Sequence, residues 1–223
     1  MKIKQWKDVR KGRSCFILAS GPSLNRVKPE DFVGKHTFVC NDAFLRGYTA
    51  EYWVTTDPFV LSVFENLQTQ SRHALAKEIF STVGGDRYGS TYLHREFIPN
   101  PDEPESHSLY PLSLDLTRGV YDANSPVHLA LQVAAWMGFT SIFIVGADFR
   151  PSKNLTHFYG NRPGFKEDDA PRYRQIVDTM HTSAAVLSAQ GVKVYNCSEG
   201  SRLEELRFVE IRDALASSEP FYE

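Results

Sequence analysis

Cysteine is scarce: Cys15, Cys40 and Cys197 are the only three in 223 residues, and their separations match no zinc spacing. An odd count without a metal pattern excludes a disulfide framework. Three thiols in or at the end of apolar runs read as buried residues of a reduced compartment. An excess of one charge is missing as well, because 25 basic against 27 acidic residues leave a formal net charge of −2. That balance excludes a nucleic acid held by bulk electrostatics and leaves room only for a local basic patch. No apolar run reaches the roughly 20 residues that span a bilayer, and the opening Met1-Lys2-Ile3-Lys4-Gln5-Trp6-Lys7 has no signal-peptide core. A cytoplasmic protein without a transmembrane segment is expected. Internal repeats, low-complexity tracts, a Walker lysine and a Gly-x-Ser-x-Gly elbow are missing too.

What is present suffices for a core, with 42% hydrophobic and 13% aromatic residues, and the length suits one α/β domain over residues 1–223. Residues 1–12 read as an N-terminal arm whose Trp6 packs on the sheet edge, 98–112 and 151–171 as long loops, and 212–223 as a C-terminal tail. The loop over 151–171 is expected to act as a lid. Strand-like runs at Arg13–Ala19, Thr37–Asn41, Tyr52–Thr56, Thr91–Leu93, Ser141–Gly146 and Val192–Asn196 alternate with helical stretches. Those stretches are Pro22–Asn25, Val60–Leu67, Ser125–Met137 (stopped by Gly138) and Asp169–Gln190 (stopped by Gly191). The alternation predicts a Rossmann-like doubly wound, mainly parallel sheet. Phe16–Ala19 and Ile142–Val145, free of charge, belong at its centre, where both faces are covered.

Ligands of such sheets bind beyond the carboxyl ends of the strands. Here the strands end in Ser20-Gly21-Pro22-Ser23, Asn41-Asp42, Thr55-Thr56-Asp57, Gly146-Ala147-Asp148 and Asn196-Cys197-Ser198. Their convergence argues for a shared site, although each end taken singly reads equally as caps. In the first turn Gly21 permits a left-handed or tight backbone and Pro22 starts a helix, so amide groups there suit an anion. On that reading Gly21→Val abolishes nucleotide binding and leaves folding intact. Asn124-Ser125-Pro126, after Asp122, is a second helix start of that kind. Arg118, Arg150, Lys153 and Arg162 supply cations near the same edge. Asp57 and Asp148 are the carboxylates expected inside the site, either on Mg²⁺ or on a ribose hydroxyl, and the residues leave both roles open. Among seven histidines, His157 is the catalytic candidate because its loop follows a site strand. His128 and His181 read as helix-face residues satisfied locally.

The segments Ile17-Leu18-Ala19-Ser20-Gly21-Pro22-Ser23-Leu24, Cys40-Asn41-Asp42, Thr56-Asp57-Pro58, Asn124-Ser125 and Met137 to Phe149 carry a resemblance that runs in order from Arg13 to Ser201. It is similar to two groups. One is the DUF115 or MptE-like group, with archaeal 6-hydroxymethyl-dihydropterin diphosphokinases and motility accessory factor glycosyltransferases. The other is the family 42 bacterial sialyltransferases, which use CMP-sialic acid. The resemblance implies that Ser20, Gly21, Pro22, Ser23, Asn41, Asp42, Asp57, Asn124 and Ser125 bind the nucleotide, and that Arg150 and Tyr159 meet the leaving phosphate. It implies a catalytic end for the strand closing at Asp148. Where the sialyltransferases have Asn-Pro this chain has Asp57-Pro58, a departure toward metal assistance. Where they carry a catalytic His before the long helix, it reads Pro171-Arg172-Tyr173-Arg174.

The expected function is that of a nucleotide-dependent transferase, first a glycosyltransferase with a CMP-activated or similar donor and a small-molecule or glycan acceptor. His157, Arg150, Tyr159 and Asp148 form its catalytic set. The alternatives are a diphosphokinase using ATP and Mg²⁺, with Asp57 as metal ligand, and a non-catalytic nucleotide-binding module. No tightly bound cofactor is expected, and a homo-oligomer stays open.

Overall fold

Five-residue runs without charge, β1 (Ser14–Leu18) and later β8 (Ser141–Val145), form the middle of the sheet because neither face can be left to water. The computed structural model describes residues 2–48, 50–71, 75–84, 91–93, 95–97, 112–121, 123–150, 156–160 and 170–218. After β1 come β2 (Thr37–Cys40), β3 (Ala50–Thr55), helix α1 (Pro58–Gln70), β4 (Ala76–Ser81) and β5 (Thr91–Tyr92). The chain continues through β6 (Arg95–Phe97), β7 (Val120–Tyr121), α2 (Pro126–Trp136), β8 (Ser141–Val145), α3 (Ala170–Ala189), β9 (Lys193–Asn196), β10 (Arg207–Phe208) and α4 (Ile211–Ser217). Eight strands make one sheet in the order β10-β9-β8-β1-β2-β3-β4-β5, and β6 and β7 pair separately. Every pairing between these strands is parallel. The direction of winding reverses at β1, which lies between β2 and β8. That reversal opens a crevice at the carboxyl ends of β1 and β8.

Alternation along the strands divides the core. Cys15 and Ile17 of β1, Tyr52 and Val54 of β3, and Ile142 and Ile144 of β8 join α2 and α3 residues such as Leu129, Ala130, Met180 and Leu187 on one face. Phe16, Leu18, Trp53, Phe143 and Val145 face the other way, onto Val60, Leu61 and Phe64 of α1 and Ala214 of α4. Trp53 stacks on Phe64 at 3.9 Å with ring planes 7° apart, fixing α1 to the sheet. Because α2 is buried on nearly every side, its apolar residues show no clean amphipathic stripe.

The N-terminal arm seals the far end of α2. Amides of Asp8, Arg10 and Gly12 donate to the carbonyls of Trp136, Met137 and Gly138 at 3.1, 2.7 and 2.9 Å, satisfying a helix end that would otherwise be orphaned. Gly138 closes that helix with φ 88°. Trp6 meets Tyr52 and Phe80 edge-on, so it packs on the face of the sheet over β3 and β4, not on the edge. At the amino ends of the strands, Glu51 is buried and shared between partners. Its Oε1 takes Arg10 Nη2 at 2.7 Å and Tyr52 Oη at 3.0 Å, and its Oε2 takes His36 Nδ1 at 2.5 Å.

Some expectations need correction. A strand appears at Ala76–Ser81, where charged Lys77 and Glu78 conceal it in a half-buried position near the sheet edge. Residues 212–217 of the expected tail are helical, because Ala214 docks on the second face of the core. Pro171 is inside α3, not in the preceding loop. Residues 98–111, 151–155 and 161–169, which hold most of the two expected loops, lie outside the described residues. All three cysteines are free and buried, and burial pushes the Cys197 thiol up to about 12, far from nucleophilic range. No helix among the described residues is long and apolar enough to cross a membrane.

Candidate functional site

The crevice at the winding reversal is a cleft of about 590 Å³, a size suited to a small molecule. The ends of β1, β2, β3 and β8 supply Ser20, Gly21, Asn41, Thr56, Asp57, Asp148 and Arg150. Asn124 and Ser125 come from the start of α2, Arg172 and Tyr173 from the first turn of α3, and His157 from the segment between. In a parallel sheet each helix that follows a strand starts at the carboxyl edge. The N-termini of α1, α2 and α3 therefore all face this space, and each brings a partial positive charge. Asn41 (φ 43°), Asn124 (φ 54°) and Phe149 (φ 48°) line it too, and apart from Asp8 they are the described non-glycine residues with left-handed backbone. Each such residue costs about 1–3 kcal/mol and persists where its surroundings dictate it, commonly at ligand sites.

The turn after β1 is built differently from the expectation. Gly21 has φ −69° and ψ 166°, an extended conformation open to any residue. Its amide donates to Gly146 O at 2.7 Å. The Ser23 amide and hydroxyl both donate to Asp148 Oδ2, at 3.1 and 2.9 Å. These amides are therefore spent inside the protein and do not await an anion. The glycine is needed for closeness, since a Cβ on Gly21 would fall 2.1 Å from Asp148 Oδ2 and 2.4 Å from Gly146 O. Gly146 returns the constraint with φ 75° and a Cβ position 2.4 Å from Ala19 O.

Asp57 caps α1, its Oδ1 accepting from the amides of Phe59 and Val60 at 2.9 and 3.3 Å. Among the described residues no group of three or more His, Cys, Asp or Glu side chains is placed to hold a metal. Asn41 is oriented by Thr55. The Thr55 hydroxyl accepts from the Asp57 amide at 3.1 Å and donates to Asn41 Oδ1 at 2.8 Å, with Asp57 O a longer alternative at 3.3 Å, which leaves the amide nitrogen as the donor of the Asn41 side chain. Ser125, only 3% exposed, is the N-cap of α2, yet its hydroxyl makes no cap bond. Arg172 Nη2 donates to Asn124 O at 3.3 Å, which places a guanidinium beside that helix start.

Four expected site residues do other work. Pro22 and Ser23 belong to the 3-10 turn Pro22–Arg26, where Ser23 braces Asp148. Asp42 and Tyr159 bond to each other, the Tyr159 hydroxyl donating to Asp42 Oδ2 at 2.7 Å, and neither lines the cleft. The end of β9 is a scaffold. Asn196 Oδ1 takes the Ser198 amide, Ser198 Oγ takes the Ala147 amide, and Ser201 Oγ donates to Ala147 O, which together hold the Ala147–Asp148 backbone. Of the expected cations, Arg118 is not in the lining, and Lys153 and Arg162 fall outside the described residues, as does Asp122. His128 is buried against Ser183 of α3 at 3.0 Å and His181 sits 3.6 Å from Glu205, both away from the cleft. Thr56, from one of the strand ends expected to converge, lines the cleft, and Arg172 and Tyr173 are cleft residues that the sequence reading missed. The start of the helix that leads into β9 was the available signal for Arg172 and Tyr173.

No family model matches the sequence, and no curated protein matches it either. Solved structures do. The MAf glycosyltransferase from Magnetospirillum magneticum AMB-1 aligns with a TM-score of 0.57 at 14% identity over 99% of this chain, which spans 38% of that protein's length. The sialyltransferase CstII from Campylobacter jejuni, in complex with cytidine-5'-monophosphate, aligns with a TM-score of 0.56 at 12% identity over 89% of this chain and 85% of its own. The same enzyme with the substrate analogue CMP-3FNeuAc gives 0.52 at 13% identity, over 88% of this chain and 86% of its own. The likeness is one of fold: this chain has the Rossmann-like α/β architecture of these solved glycosyltransferases.

Proposed function

We propose that the protein is a nucleotide-dependent glycosyltransferase of the DUF115 or MptE-like type, taking a CMP-activated or similar sugar donor and a small-molecule or glycan acceptor. One observation carries the reading. The N-termini of α2 and α3 and the residues Arg150 and Arg172 face a cleft whose two carboxylates already accept hydrogen bonds from the protein, Asp57 from the start of α1 and Asp148 from Ser23. Positive potential left over in this way suits a phosphate. Support comes from CstII, which has been solved with CMP and with a trisaccharide acceptor.

In this reaction the bond between the donor sugar's anomeric carbon and the phosphate oxygen breaks, and an acceptor hydroxyl oxygen bonds to that carbon. CMP leaves with the bonding electron pair, and the hydroxyl proton passes to a base, for which His157 is the cleft's candidate. The start of α2, with Ser125, and Arg150 stabilise charge growing on the leaving phosphate. The Asn41 amide nitrogen holds the nucleotide. No resident cofactor is called for, and the donor comes and goes from the cytoplasm. A diphosphokinase would need carboxylates around Mg²⁺, and Asp57 is committed to capping α1.

Calorimetry and thermal melts with CMP, CDP, UDP and ATP, with and without Mg²⁺, test the proposal. CMP at a hundred times its dissociation constant should add about 2.7 kcal/mol, or roughly 5–11 °C in melting temperature for a chain of this size, without metal. Stabilisation by ATP only with Mg²⁺ would replace the proposal with the diphosphokinase. Silence toward every nucleotide would point to a non-catalytic module. Arg150→Ala should lower kcat about 100-fold and change donor KM little, because its contact strengthens as phosphate charge develops. Equal turnover of variant and wild type would remove Arg150 from the chemistry.

A further inference from the structure

We infer that Asp42 and Tyr159 are positioning residues which, with Asn25, seat the tip Thr156–Gly160 so that the His157 imidazole stands in the cleft. The inference rests on the proposed role of His157. The tip is a tight turn, closed by His157 N to Gly160 O at 2.9 Å and Gly160 N to His157 O at 3.0 Å. This tip is held by groups from other parts of the fold. Both backbone polar groups of Phe158 are taken: its amide donates to Ser20 O at 2.9 Å, and its carbonyl accepts Asn25 Nδ2 at 2.9 Å. The Phe158 side chain packs against the apolar cluster on the α1 face.

Tyr159 completes the arrangement. Its hydroxyl donates to the Asp42 carboxylate at 2.7 Å, a charge-assisted bond between residues 117 apart in sequence. Its ring lies under the His157 imidazole, centroids 5.1 Å apart and planes 22° apart. Thr156 Oγ1 meets His157 Nδ1 at 2.9 Å. A ring tied at its hydroxyl and stacked on its face leaves the imidazole little freedom of tilt. Asp42 follows Asn41, which lines the cleft, so one turn after β2 carries a nucleotide-side residue and the anchor of the base. This gives Asp42, which is buried, and the hydroxyl of Tyr159, a residue otherwise 44% exposed, a role outside the cleft.

The test has one arm that needs no substrate. In protein labelled with ¹⁵N-histidine, the His157 ring signals are assigned by their loss in His157→Gln. Tyr159→Phe keeps the stack but loses the bond, Asp42→Ala loses the acceptor, and Asp42→Asn restores one. The His157 signals should shift or broaden in Tyr159→Phe and Asp42→Ala and return toward wild type in Asp42→Asn. CMP affinity should stay within about twofold, kcat should fall about 10- to 100-fold, as for a catalytic group displaced by an ångström or less, and the double variant should be no worse than either single. Unchanged His157 signals in both Tyr159→Phe and Asp42→Ala overturn the inference whether or not CMP binds. Shifted signals in a protein that ignores every nucleotide would support the positioning and sink the proposed function instead.

Discussion

Gly21→Ala is expected to lose about 3 kcal/mol of stability, the upper end of the usual cost of overpacking, and with it roughly 6–12 °C in melting temperature. The reason is where the added methyl would go. It would fall 2.1 Å from Asp148 Oδ2 and 2.4 Å from Gly146 O. A flexible side chain could step aside, but Gly146 O is backbone, already hydrogen-bonded to the Gly21 amide. Relief therefore means parting the ends of β1 and β8, where the cleft opens. Asp148 would lose its two bonds from Ser23 in the same movement. CMP affinity should fall together with stability, whereas the sequence alone led to lost binding in an intact fold. The larger Gly21→Val should fail to fold. Melting curves and CMP titrations of Gly21→Ala settle the matter, and wild-type values in both would show that the two strand ends separate at no cost.

Glu51→Ala should be more damaging still, at about 3–5 kcal/mol, as when one member of a buried ion pair is removed. Arg10 and His36 would keep their polar groups and lose the acceptor that gathers them. Tyr52 would lose its acceptor too. The pH dependence has a definite sign. Burial alone would raise the Glu51 carboxyl, but the bonds from His36 and Arg10 outweigh it and hold the group below its ordinary range. A carboxylate depressed in the folded state contributes stability above its unfolded pKa, about 4.3, and that contribution is lost as pH falls through the lower folded value. The gap in melting temperature between wild type and Glu51→Gln should therefore be full at pH 7 and narrow below about pH 4. A gap independent of pH would mean that the cluster acts through shape alone.

Both predictions turn on contacts between residues far apart in sequence, and this is where reading the chain stopped. Strands β1, β2 and β8 were legible because their apolar runs are short, uncharged and bounded by Ser, Asn, Asp or Gly, and β3 and β9 because the one charge in each, Glu51 or Lys193, sits at the start of an apolar run. Proline at the first turn of α2 marked its start, whereas α1 begins at Pro58, two residues before the expected Val60. Strand β4 was not legible, since Lys77 and Glu78 sit in a run whose partner is supplied by β3. The polar ends of four strands do meet in one cleft, but the end of β9, chemically alike, braces Ala147 from behind. Nothing in Asn196-Cys197-Ser198 distinguishes a lining residue from a brace.

The sequence by itself determined the class of the fold and which edge of the sheet carries the cleft. Alternating strands and helices force parallel pairing, uncharged strands must be central, and in such a sheet polar strand ends and helix starts share one side. These consequences follow from local pattern and chain direction, which neighbouring residues already contain. Only the tertiary structure decided which polar group faces the ligand and which faces the protein. Whether the Gly21 amide is free, whether Asp57 caps a helix, and whether Tyr159 meets a phosphate or Asp42 depends on the partner within about 3 Å. Those partners are Gly146, Phe59 and Asp42. A hydrogen bond is settled by distance in space, and except at Asp57 and Phe59 that distance is set by how β1, β2 and β8 come together.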